Sequence, residues 1–93
     1  MSNLEVRDAT DRNRYELLDD GQVIGIAEYR DDGSQVVFPH TVINPDRRGN
    51  GLGEVLVRHA LDDMRAKGRT IVPACWFVAE FVGLNPEYAD LVS

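Results

Sequence analysis

Along the first half of the chain apolar positions alternate with polar ones; along the second they recur every three or four residues. Leu4-Glu5-Val6-Arg7 alternates strictly, and Tyr15-Glu16-Leu17-Leu18 makes a second short run. A third run, Gln22 to Tyr29, carries Val23, Ile24, Ile26, Ala27 and Tyr29, and a fourth, Gln35 to Asn44, is rich in Val, Phe and Ile. Short runs of this composition predict strands. Asp19-Asp20-Gly21 ends the second run with the Asp-Gly dipeptide of a tight hairpin, and Asp31-Asp32-Gly33 separates the third from the fourth. Four strands joined by turns predict an antiparallel meander.

Beyond Asn44-Pro45-Asp46 the period lengthens. Leu56, Val57, Ala60, Leu61 and Met64 fall on one helical stripe, with Glu54, Arg58, Asp62 and Arg65 on the opposite side, so an amphipathic helix is expected. Glu54 and Arg58 are spaced for an i,i+4 ion pair, and Lys67-Gly68 supplies a cation and a glycine where the helix should stop. Thr70-Ile71-Val72 continues as a strand, which ends by Cys75. Trp76 to Val82 reads as a short helix with Phe77, Val78 and Phe81 turned inward; Trp76, Phe77 and Phe81 are expected in the core. The strand–helix–strand portion predicts a crossover between parallel neighbours. The expected class is α+β: a mixed, mainly antiparallel sheet of about five strands with two helices packed on it.

Composition narrows what such a domain does. Ninety-three residues, 43% hydrophobic and 28% charged, suit one globular domain over residues 1–93. The single cysteine, Cys75, forms no internal disulfide and points to a reducing compartment, with the cytoplasm as the expected location. The longest apolar stretch, Ile71 to Leu84, is broken by Pro73 and Glu80, and the N-terminus has neither a basic nor an apolar leader segment, so neither membrane nor secretion is expected. A net charge of −6 repels a phosphate backbone, which argues against nucleic acid. The Asp-Asp-Gly pairs read as turns with solvated carboxylates; they lack the further ligands of a calcium loop, so no metal is expected.

One spot opposes the acidic balance. Arg47-Arg48-Gly49-Asn50-Gly51-Leu52-Gly53 leads from the fourth strand into the amphipathic helix. The first amides of a helix lack intrahelical partners, the helix dipole favours an anion there, and glycines let the backbone approach a diphosphate. The letters fit neither Gly-x-Gly-x-x-Gly nor a loop ending in Gly-Lys-Ser/Thr.

The spacing that remains, Arg48-x-x-Gly51-x-Gly53, resembles the acyl-CoA pyrophosphate loop of the GNAT N-acetyltransferase superfamily, Gln/Arg-x-x-Gly-x-Gly/Ala. The flanking His40-Thr41-Val42-Ile43, Val72-Pro73-Ala74-Cys75 and Asn85-Pro86-Glu87-Tyr88 extend the likeness to the short YjdJ-type branch over nearly the whole chain. The resemblance implies a minimal GNAT-like fold and transfer of an acetyl group from acetyl-CoA to an amine. It implies that Thr41, Val42 and Ile43 pair with the pantetheine arm, and that Arg47, Arg48, Gly49, Asn50, Gly51, Leu52 and Gly53 hold the diphosphate, with Asn85 also on the CoA side. Larger members carry helices between the first two strands that build the acceptor site. Here only Ala9 to Arg14 separates them, so the acceptor is not carried over.

The catalytic candidates each have a plainer alternative. By itself Cys75 reads as a small buried hydrophobe; the resemblance implies a thiol beside the thioester, which either accepts the acetyl group and passes it on or simply stands beside it. His40 reads equally as a base, with a reference pKa of about 6.5, and as a histidine bonded within the sheet. Tyr88 reads equally as a packing anchor and as an acid for the departing CoA thiolate. His59 reads as a surface residue. The alternative to an enzyme is a module that binds CoA or acyl-CoA without turnover. As to assembly, a monomer or weak dimer is expected, an uncovered sheet edge being the only feature that invites a second copy.

Overall fold

A computed structural model describes residues 3–92; Met1 and Ser2, on which part of the N-terminal reading falls, and Ser93 lie outside the described residues. Strands β1 (Leu4–Ala9), β2 (Arg14–Asp19), β3 (Gln22–Asp31) and β4 (Val36–Ile43) form the expected meander, and β5 (Ile71–Val72) completes a sheet of order β1-β2-β3-β4-β5. All neighbours are antiparallel except β4 and β5, which are parallel. Helix α1 (Leu52–Ala66) makes the crossover between them, α2 (Trp76–Leu84) follows β5, and short 3-10 segments span Thr10–Arg12, Pro45–Arg47 and Pro86–Leu91. The α+β class holds. The fifth strand is Ile71–Val72, within the expected Thr70-Ile71-Val72, and it stops short of Cys75 because Pro73 has no amide to continue a ladder.

Local chemistry sets each boundary. Asp20 and Gly21 both have positive φ, 50° and 83°, as a two-residue hairpin with right-handed strand twist requires. Asp31 accepts from the Gly33 amide, and Asp32 from those of Ser34 and Gln35, so the second Asp-Asp-Gly closes its turn through side chains. Helix α1 ends in a left-handed Gly68, with the amides of Gly68 and Arg69 donating to the carbonyls of Arg65 and Met64. Its stripe of Leu56, Val57, Ala60, Leu61 and Met64 is buried in one contiguous core with Tyr15, Leu17, Ile24, Ala27, Val36 and Phe38 from the sheet and Val78 and Phe81 from α2. Among the described residues no helix is long and apolar enough to cross a membrane.

Three side chains depart from expectation. Trp76 is 72% exposed, since it begins α2 at the rim of the molecule, and only Val78 and Phe81 of that helix are fully buried. Arg58 pairs with Glu87 at 3.5 Å and donates to Tyr88 and Asn85, so its partners come from the C-terminal segment in place of Glu54. Asp19 is buried and ion-paired with Arg47, not solvated.

Candidate functional site

Strand β4 carries the geometry that makes a site. Its pairing with β3 shifts register between Glu28 and Arg30, where Tyr29 alone faces both Phe38 and Pro39, so β4 bulges near Pro39. Its pairing with β5 covers only Val36↔Ile71 and Val37↔Val72. One more bond, from the Cys75 amide to the Phe38 carbonyl at 2.8 Å, closes the seam. Beyond Phe38 the two strands part, and among the described residues no strand lies against the β4 edge from Pro39 to Ile43 on the side away from β3.

A cleft of about 590 Å³ occupies the gap, lined by His40, Thr41, Val42, Ile43, the loop residues Arg47, Arg48, Gly49, Gly51, Leu52 and Gly53, and Glu54, Trp76 and Phe77. The loop reaches it through two left-handed glycines, Gly49 (φ 88°) and Gly51 (φ 72°), a conformation that costs an L side chain about 1–2 kcal/mol. Gly51 caps α1 with no side-chain hydrogen bond, so the first-turn amides of Leu52, Gly53 and Glu54 have no capping side chain. Gly53 has a different reason to be glycine: a Cβ there would stand 2.6 Å from Phe77 Cζ. Around the loop, Asn50 donates to the Arg47 carbonyl and Arg48 Nε to the Ile43 carbonyl.

Cys75 is buried at the N-cap of α2 and is not itself among the lining residues; it sits against Thr41 and Phe77, which are. Burial acts to raise its thiol pKa, but the Thr41 hydroxyl and the amides of Val78, Phe77 and Thr41 face the sulfur and bring the pKa below the ordinary thiol value. The Thr41 hydroxyl is buried and makes no hydrogen bond of standard geometry, so it acts on the thiol as a neighbouring dipole. His40 is exposed on β4, opposite Glu28 of β3.

Tyr88 and Asn85 are elsewhere. The Tyr88 hydroxyl donates to Asp62 at 2.7 Å and accepts from Arg58 at 3.3 Å, its ring packs on Phe81, and burial followed by Asp62 pushes its pKa up. Asn85 accepts from Arg58 and donates to the Phe81 carbonyl. Both brace α1 against the C-terminal segment, outside the residues that line the cleft. Conversely, Glu54, Trp76 and Phe77 line the cleft without having been singled out for it. For the two aromatics the available signal was their position directly after Cys75, ahead of the apolar Val78 and Phe81.

An open strand edge, a glycine loop feeding uncapped helix amides, and a buried thiol at a helix N-terminus thus fall within one segment, residues 38–78. The family described as GCN5-related N-acetyl-transferase matches the chain over residues 14–91, which takes in every element of the cleft. The chain belongs to the GCN5-related N-acetyltransferases. No curated protein matches it. As a member of that family it is an acyltransferase-type domain, and β1, outside the matched stretch, adds an edge strand to the sheet that carries the site.

Proposed function

We propose that this chain is an acetyl-CoA-dependent N-acetyltransferase of the short YjdJ-type branch, acting on an amine in a reducing compartment such as the cytoplasm. The parting of β4 from β5 carries the reading. It offers an extended arm a free strand edge, from Pro39 to Ile43, that leads to a glycine loop and the uncapped start of a helix. Such an edge suits the amide groups of pantetheine, and the loop, with Arg47 and Arg48, suits a diphosphate. The donor set therefore fits CoA from thiol to phosphate.

Acetyl-CoA, when bound, supplies an activated thioester. In the route we favour, the Cys75 thiolate attacks the thioester carbon and displaces CoA as its thiolate, which takes a proton from solvent. His40 accepts a proton from the acceptor ammonium; the free amine then attacks the acetyl carbon, displaces Cys75 as its thiolate and releases its second proton to solvent. The thiol's position at a helix N-terminus, with Thr41 beside it, supports this nucleophilic role. Direct attack by the amine on the thioester is the competing chemistry. The test is release of free CoA thiol with a panel of amines, together with mass spectrometry of protein quenched with acetyl-CoA alone. One acetyl group on Cys75, absent in Cys75→Ala, with turnover lost in that variant, is expected; undiminished turnover in Cys75→Ala removes the covalent step.

A second reading, a module that binds CoA without turnover, is favoured by the link between β1 and β2. Only the 3-10 turn Thr10–Arg12 and Asn13 stand where an acceptor wall would be built. Saturable CoA binding without thiol release for any amine would select it.

A further inference from the structure

The diphosphate loop is tied to a distant part of the sheet by one ion pair. Arg47 Nη1 donates to Asp19 Oδ2 at 2.6 Å, joining the loop to the end of β2. Asp19 is 8% exposed, and its other carboxylate oxygen is buried with no hydrogen-bond partner. A buried carboxylate stripped of its counter-charge is strongly unfavourable, so Asp19 holds Arg47 firmly by one edge. A guanidinium presents its donors as a rigid planar fork, so fixing one edge also fixes the direction of the other. Arg47 lines the cleft with 38% of its side chain exposed. Arg48, the neighbouring cation, has by contrast only the long 3.4 Å contact to the Ile43 carbonyl among the described residues.

We infer that Asp19 is a positioning residue for diphosphate recognition. It orients the Arg47 fork so that the free edge meets the phosphoryl oxygens of CoA, and it spares binding the entropy of ordering a long surface side chain. The inference rests on the CoA reading above and adds to it a carboxylate from the β2–β3 hairpin that does not itself line the cleft.

The test is calorimetric titration of CoA into the wild type, Asp19→Asn, Arg47→Gln and the double variant. Asp19→Asn should weaken CoA about tenfold, as for one charge-assisted hydrogen bond, and Arg47→Gln at least as much. The double variant should be no weaker than Arg47→Gln alone, because Asp19 acts through Arg47. An affinity for Asp19→Asn at or above wild type, as expected if Asp19 merely offset the charge of Arg47, overturns the inference, and so do losses that multiply in the double variant. Arg47→Lys keeps a cation for Asp19 but lacks the second edge; it should unfold like the wild type and still lose CoA affinity, and retained affinity would overturn the inference even if Asp19→Asn fails to fold. A wild type that takes up no CoA removes the CoA reading itself; a wild type that binds, beside an unaffected Asp19→Asn, removes only the role of Asp19.

Discussion

Gly53 joins the candidate site to the fold. Its missing side chain lets the first turn of α1 sit against the Phe77 ring, and the same turn presents the amides that face the cleft. Gly53→Ala gains helix propensity of about 1 kcal/mol, yet it drives a methyl group to 2.6 Å from Phe77 Cζ, an overpacking that costs about 1–3 kcal/mol. Net destabilisation is expected in urea unfolding, and Phe77→Leu in the same chain should relieve it; a stabilised Gly53→Ala would contradict the contact. Glu16 makes a second case. Its carboxylate is covered entirely by the side chains of Arg7, Arg12 and Arg14, at 2.8, 3.3 and 2.8 Å. Desolvation acts to raise its pKa, but the hydrogen bonds from Arg14 and Arg7 outweigh this and hold it below the ordinary 4.5. The unfolded chain therefore binds the proton more tightly than the folded one. The stability from this group is present in full above pH 4.5 and drains away as pH falls through the lowered value. Glu16→Gln should shed that stability at neutral pH and flatten the acid limb of the unfolding profile, and an unchanged limb would rule the cluster out as its source. None of this was legible in the sequence, where Glu16 is one polar position in a short apolar run and its arginines lie on β1, β2 and the turn between them.

Elements were more legible than contacts, and for a physical reason. The β2–β3 hairpin could be read because the dipeptide at its tip allows a backbone few others do, and α1 because its stripe and its terminal Gly68 agree about where a helix must lie and stop. The two-residue β5 is too short to have a period, and the bulge in β4 is a property of pairing, which no single strand records. The role of the C-terminal segment was likewise hidden. Tyr88 packs on Phe81 and reaches Arg58 and Asp62, so the segment Pro86–Leu91 fastens α1 to α2 through a hydroxyl. Tyr88→Phe keeps the ring and loses those bonds. It should cost about 1 kcal/mol of stability while CoA affinity and turnover stay near wild type. A loss of turnover beyond tenfold in a folded Tyr88→Phe would return the tyrosine to the chemistry as an acid.

At the scale of the whole molecule the cleft is where the fold is least closed. The sheet ladder fails on one side of β4, and the loop before α1 is held by few contacts outside itself, chiefly Arg47 to Asp19 and Arg48 to Ile43. A ligand that bonds to the β4 edge and to the start of α1 would span this gap and join parts of the molecule that otherwise meet only through the core. Binding to the folded chain alone stabilises it by RT ln(1 + [L]/Kd), about 2.7 kcal/mol at a hundredfold excess over Kd. In a domain of this size the entropy of unfolding is small, so each kcal/mol moves Tm by about 4–8 °C. CoA at that excess should therefore raise Tm by roughly 10–20 °C. Gly51→Val, which puts a branched side chain on a left-handed residue at the cleft, should abolish the rise while the far-UV spectrum stays native-like. A melting curve that ignores CoA at millimolar concentration would leave the parted strands without the ligand their geometry invites, and an undiminished rise in Gly51→Val would move the diphosphate off the loop.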